Sequence, residues 1–349
     1  MKASSFQTLV SVPLGLELEE PGRTRTRTNL HMAVCRPLGI VTVSYLGTTR
    51  SPFSFVDVYD LDAVSLLTGK GLVKRCTLGQ GVAPMQFYFG GSFYWSGYMA
   101  YTDSCLLVLS DCCHEAVHVI DVLSATHVGF VVEPVVAGRN GAWQRPRAVA
   151  AQGSTVAVGF FVAGSESCIR LYGGSGASWS LQRVLGHNTS HFFSLKFTRD
   201  GSSLLTSVGG NYSSSAVLLV DLASGSQQTI HSEVDKTFRD VEECEDGTLM
   251  AAVNTLGVFA LYKNPCSRNY YIQDVVRMGA TFSLASFSEG FLVVGKSHWP
   301  DYGTIRNELY VLTCEDAIAM ACISALRVAW MVAVARGKPR CWDVASNFC

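Results

Sequence analysis

An all-β fold, assembled from six copies of a four-stranded unit, is predicted by three observations. A short strand pattern recurs along the chain, a small turn residue precedes each copy at spacings of 43 to 65 residues, and only 16% of the 349 residues are charged. Soluble domains average about 25% charged residues. A chain with 27 basic and 28 acidic side chains and 48% hydrophobic residues is neither a disordered segment nor a generally basic nucleic-acid binder. It buries many faces or crosses a membrane.

The strand pattern is clearest at Ala116 to Ala125 (AVHVIDVLSA) and Ala216 to Gly225 (AVLLVDLASG), with a third copy at Val56 to Leu61 (VDVYDL). Weaker copies are Ile169 to Tyr172, Val258 to Tyr262 and Leu309 to Leu312. Each is a β-branched and aromatic run of strand composition. Ahead of each lies an anchor and a charge-free apolar run: Gly39-IVTVS, Ser104-CLLVLS, Gly153-STVAVG, Gly201-SSLLTS, Gly247-TLMAAV and Gly290-FLVVG. In four units a further strand precedes the anchor, as in Arg147-AVAAQG, Leu195-KFTRDG, Val241-EECEDG and Leu284-ASFSEG. Asp200-Gly201 and Asp246-Gly247 read as two-residue hairpin turns.

One unit is therefore strand, turn, strand, loop, strand, turn, strand. Four strands at this period make a blade of a β-propeller, whose middle strands are covered on both faces and so read as continuous apolar runs. The expected organisation is an arm over 1–29, a six-bladed propeller over 30–316, and a segment over 317–349 that is helical or supplies a ring-closing strand. Asn29 to Val34 and Leu326 to Val334 are the two candidates for closing the ring.

Pro146 to Gly159 (PRAVAAQGSTVAVG), and FSLKFTRDGSSLLTS followed by AVLLVDLASG from Phe193, resemble NHL-type repeats. The likeness is specific in the middle third of the chain and implies the propeller fold. WD-repeat proteins are similar at Val220-Asp221-Leu222, without their Gly-His and Trp-Asp signatures. The polar D-x-x-N stretch common before the third NHL strand is absent, so no ligand role is carried over.

The competing chemical readings are weaker. Ala317 to Ala335 is long enough to span a membrane but carries Arg327 near its middle. Phe6 to Leu16 imitates a signal peptide, with Gln7, Ser11 and Pro13 interrupting the apolar run. The twelve cysteines, Cys112-Cys113 among them, show no zinc or disulfide framework and are expected as reduced thiols of a cytoplasmic protein. The HExxH at His114 to His118 needs a helix to bind zinc, whereas it runs into a copy of the strand repeat. Arg23 to Thr28 is expected to be a solvated arm. Glu242-Glu243 and Glu245-Asp246 are expected as solvated turn residues.

The remaining chemistry is on the loops of one end: Tyr45 to Ser54, Val136 to Pro146, Gly186 to His191 and Lys296 to Glu308. They carry Arg139, Trp143, Arg145, His187, His191, His298, Trp299, Asp301 and Tyr302, the composition of a recognition rim. The expected function is a non-catalytic binding or scaffolding module for a protein or peptide, monomeric, with no cofactor, nucleic-acid partner or membrane partner. The alternative is a propeller hydrolase of the lactonase type, with channel carboxylates holding a divalent metal.

Overall fold

A computed structural model of the chain describes residues 6–13, 29–45, 55–61, 72–79, 99–111, 114–134, 144–162, 167–188, 191–209, 214–234, 237–243, 249–254, 257–263, 270–277, 281–288, 291–301 and 304–314. Every regular element among them is a strand, and the strands form four-stranded antiparallel sheets in a propeller arrangement.

Strand β1 (Phe6–Pro13) comes first in the chain and is taken up below. The first complete sheet runs from β2 (Asn29–Cys35) through β3 (Ile40–Tyr45) and β4 (Phe55–Asp60) to β5 (Val73–Leu78). The second holds β6 (Met99–Tyr101), β7 (Leu107–Asp111), β8 (Ala116–Asp121) and β9 (Thr126–Val132). The third holds β10 (Gln144–Gln152), β11 (Thr155–Val162), β12 (Ser167–Ser175) and β13 (Ser178–Asn188). The fourth holds β14 (His191–Phe197), β15 (Ser203–Gly209), β16 (Ser214–Asp221) and β17 (Gln227–Val234).

These four sheets are described through most of their side chains. A fifth is described in part: β18 (Asp240–Glu243), β19 (Leu249–Asn254), β20 (Gly257–Lys263) and β21 (Tyr270–Arg277). The last is described as backbone: β22 (Thr281–Ser288), β23 (Phe291–Asp301) and β24 (Thr304–Cys314), with β1 paired antiparallel to β24. The first strands of successive sheets touch in the order β2, β6, β10, β14, β18, β22, and β22 returns to β2. They line the middle of the molecule.

Among the described residues, it is β1 that completes the last sheet, beside β24. Asn29–Cys35 is the inner strand of its own sheet, and 326–334 lies outside the described residues. Phe6–Pro13, expected in an arm, is the outer strand beside β24. Residues 317–349 and 23–28 lie outside the described residues, as do Asp246-Gly247 and Cys112-Cys113.

Burial accounts for the low charge. Apolar clusters fill each interval between consecutive well-described sheets, and neighbouring residues of one strand belong to opposite clusters. Leu204 packs toward Ala157 and Ile169 of the third sheet. Leu205, the next residue, packs toward Phe238 and Val241 at the fifth. Leu107 and Leu109 face the first sheet, while Val108 faces the third. Both faces are core, so no alternation with polar residues survives. A fully buried side chain of this size contributes on the order of 2 kcal/mol.

The anchors among the described residues are turn residues, while Gly247 and Gly290 lie outside them. Gly39, Gly153 and Gly201 have φ of 58°, 57° and 69°, in the left-handed region that glycine enters without steric cost. Each follows an inner strand. In the second sheet the left-handed residue is Cys105, at 63°, beside the expected Ser104. The Asp200-Gly201 turn is longer than two residues: β14 ends at Phe197, β15 begins at Ser203, and Gly201 N–H donates to Thr198 O at 2.8 Å.

The D-x-x-S-small end of the repeat is the turn into the outer strand. Asp121 Oδ1 accepts from Leu123 and Ser124 N–H, and Asp221 Oδ1 accepts from Ser224 N–H. Ala125 and Gly225 then take φ of 53° and 76°.

Candidate binding ends of the channel

Inner strands begin at one end of the channel and turn into their partners at the other. The expected rim belongs to the first end. Arg145 opens β10, His191 opens β14, and His187 lies near the end of β13. Two of the expected loops are instead strand. Gly186 to Asn188 extends β13, and His298, Trp299 and Asp301 belong to β23, which reaches its hairpin partner β24 across residues 302 and 303. Antiparallel pairing such as His298 with Arg306 continues the hairpin as far as Asp301 and Thr304, where composition alone reads as loop. Arg139, Trp143 and Tyr302 lie outside the described residues.

Arg145 and His191 have described surroundings. Arg145 stands opposite Phe161 in the β10–β11 register. The Arg147 guanidinium lies 5.4 Å from the Phe161 ring centroid, and the His191 ring meets Phe161 edge-on at 4.6 Å. Burial, and next the Arg147 charge, hold the His191 imidazole below its ordinary pKa. The result is a cationic and aromatic group shared by the third and fourth sheets.

Irregular pairing recurs where inner strands enter the channel. The register shifts between Asn29 and Met32, between Pro146 and Ala148, and between Phe192 and Ser194. A bulge adds a residue and re-aims side chains. The residues inside these shifts include His31, Arg147 and Phe193, all buried.

His31 ties the channel together. Met99 N–H of β6 donates to His31 Nδ1 at 3.2 Å. With Nδ1 accepting, the ring proton of the neutral imidazole sits on Nε2, which lies 3.7 Å from Asp240 Oδ2 of β18. Burial, and next the Lys196 charge, hold His31 well below the ordinary histidine pKa. Lys196 Nζ in turn pairs with Glu242 Oε2 at 3.1 Å. Burial opposes the Lys196 charge, but Glu242 and Asp240 together raise its pKa.

Glu242 is thus no solvated turn residue: its side chain is only 18% exposed. Glu243 accepts the Arg199 amide, while Glu245 and Asp246 lie outside the described residues. His31, Lys196 and Asp240 were absent from the expected site. One signal could have found the ion pair: Lys196 and Glu242 each stand five residues ahead of their unit's Asp-Gly glycine, so they hold the same place in consecutive units.

At the turn end, lined by Lys196 and Glu242 of this network, is a cavity of about 430 Å³. Five inner strands or their turns line it, with Ala33, Ala100 and Ala150 among the small residues and Arg36, Asp103, Lys196 and Glu242 as its charged groups. The cavity and the expected rim are therefore at opposite ends.

The HExxH residues take a different form from a metalloprotease helix. His114 is in a turn, and His118 is buried in β8. His114 Nδ1 lies 2.7 Å from Asp111 Oδ2, and His118 Nδ1 lies 3.2 Å from His127 Nε2. Burial raises the Asp111 pKa, but hydrogen bonds from His118 and His114 outweigh it and leave the carboxyl below its ordinary value. Among the described residues no group of three His, Cys, Asp or Glu is placed to hold a metal ion.

Cys35 and Cys168 are buried free thiols, and Cys76 and Cys105 are half-buried ones. Burial, reinforced by a hydrogen bond with Cys105, pushes the Cys35 thiol up to about 12.

No family model matches the chain, and no curated protein matches it. Solved structures do. A chain of a crystal structure of a mitotic checkpoint complex superposes with a TM-score of 0.51 at 14% identity, over 90% of this chain and 82% of that one. A protein from Lactobacillus plantarum gives a TM-score of 0.49 at 12% identity, over 79% of this chain and 82% of that one. At such identity the first match supports the propeller fold and nothing about activity.

Proposed function

We propose that the protein is a non-catalytic binding or scaffolding module, a six-bladed propeller that recognises a protein or peptide with the end where its inner strands begin. The reading includes NHL-type, more distantly WD-type, repeats and a cytoplasmic, monomeric protein whose propeller takes in Phe6–Pro13 and is followed by a C-terminal segment over 317–349. The observation that carries it is the Arg147–Phe161–His191 group with Arg145 beside it. Arginine and aromatic side chains held by packed sheets lose little conformational freedom on binding, which is what makes such residues effective anchors.

A partner recovered with the wild-type chain should be lost when Arg145 and His191 are both changed to alanine. Binding should weaken by about tenfold or more while the thermal transition stays in place. Trp143→Ala and Trp299→Ala test the rest of the rim in the same assay. Equal capture by wild type and all variants would sink the rim reading. The hydrolase alternative calls for carboxylates recurring at the channel in several blades; among the described lining residues the carboxylates are Asp103 and Glu242, with Arg36 and Lys196 as the basic groups.

A further inference from the structure

The geometry points to a second binding site, the cavity at the turn end of the channel, whose ligand is a small zwitterion: a free amino acid or a compound that, like one, carries an ammonium and a carboxylate on the same carbon. It lies at the opposite end from the partner-binding rim and does not depend on that reading.

Among the described residues the lining carries two basic and two acidic groups, Arg36 and Lys196 against Asp103 and Glu242. Lys196 and Glu242 stand 3.1 Å apart on adjacent inner strands, half-buried in the wall. Arg36 and Asp103 stand at the mouth, exposed, in the turns that follow β2 and β6. A simple anion drawn to Lys196 meets Glu242 beside it, and a simple cation drawn to Glu242 meets Lys196. Neither gains from the whole lining. A molecule with both charges next to each other pairs its carboxylate with Lys196 and its ammonium with Glu242, so all four charges alternate in sign.

The setting strengthens that pairing. Attraction between charges grows as the surroundings become less polarisable, and the Lys196 and Glu242 side chains are only 20% and 18% exposed in a wall that also holds Ala33, Ala100 and Ala150. Small residues at these places leave the space open. A volume of about 430 Å³ is within the range of small-molecule sites and holds an amino acid together with its side chain. The Lys196 ammonium stays charged because Asp240, behind the wall, adds its carboxylate to that of Glu242.

The test is isothermal titration and thermal shift on the full chain with each common free amino acid, and with propionate and propylamine as singly charged controls. At least one amino acid should bind one-to-one with Kd below about 1 mM and raise the melting temperature. Neither control should do so at the same concentration. Arg36→Gln and Asp103→Asn, at exposed positions that leave the fold unstrained, should each weaken binding about threefold or more. Lys196→Gln should abolish it, with folding checked by circular dichroism. If Lys196→Gln does not fold, the two mouth variants decide. Absence of binding by every amino acid, equal binding by the controls, or unchanged affinity in both mouth variants overturns the site.

Discussion

Individual residues set the turns, and their conformations make separable predictions. Gly153 has φ of 57° and open space around its missing Cβ, so Gly153→Ala costs only the left-handed backbone term. That is about 1 kcal/mol, read as a lower melting temperature. Ala125, at φ 53°, bears the same penalty in the native chain, so Ala125→Gly should raise stability by a similar amount. An unchanged or lowered melting temperature for Ala125→Gly would contradict this account. His31 gives a pH dependence. Its folded-state pKa lies below the unfolded value, so the unfolded chain takes up the extra proton. Stability should therefore be full above the ordinary histidine range and fall as pH drops through it. His31→Asn should flatten that part of the stability profile, measured by denaturant unfolding at several pH values.

At the scale of elements, two features repeat: the aspartate turn into the outer strand and the facing of inner strands across the channel. Hydrogen bonds from Ser124 at Asp121, and from Ser224 at Asp221, hold both carboxyls below their ordinary pKa. Their folded pKa values are depressed, so their contribution is present above the unfolded value and lost as pH falls through the folded one. Asp221→Ala should leave a chain whose stability falls less steeply in acid. The pair of Lys196 and Glu242 joins two neighbouring sheets. Lys196→Met leaves the Glu242 carboxylate without its cation and removes the ammonium that also interacts with Asp240. A single change should therefore destabilise more than the double change to Lys196→Met with Glu242→Leu. A double-mutant cycle should return a coupling of about 1 kcal/mol or more, and additive effects would refute the cross-sheet pairing.

The whole molecule depends on its seam. β1 and β24 are separated by nearly the length of the described chain, yet they pair across the last sheet from Phe6 with Cys314 to Pro13 with Glu308. Removing residues 6–13 strips the outer strand from that sheet and leaves β24 with an unpaired edge. The melting temperature should drop by roughly 10 °C or more, and a truncated chain that melts like the full one would show that β1 does not close the ring. The repeats themselves were legible because each of the four well-described blades solves the same local problem, an apolar strand followed by a turn with a left-handed residue or an aspartate. The seam was not, because the strand that completes the last sheet lies beside β24 only after the chain has come full circle.

By itself the sequence determined the strand class, the four-strand unit, the turn residues and the reason for so few charges. Those follow from local sterics and from hydrophobic period, which act over a few residues. Only the tertiary structure decided that Phe6–Pro13 belongs to the last sheet, that His298 to Asp301 is strand, and that His31, Asp240, Lys196 and Glu242 meet in the channel. Residues so far apart in the chain become neighbours through ring geometry, and no local pattern records that distance.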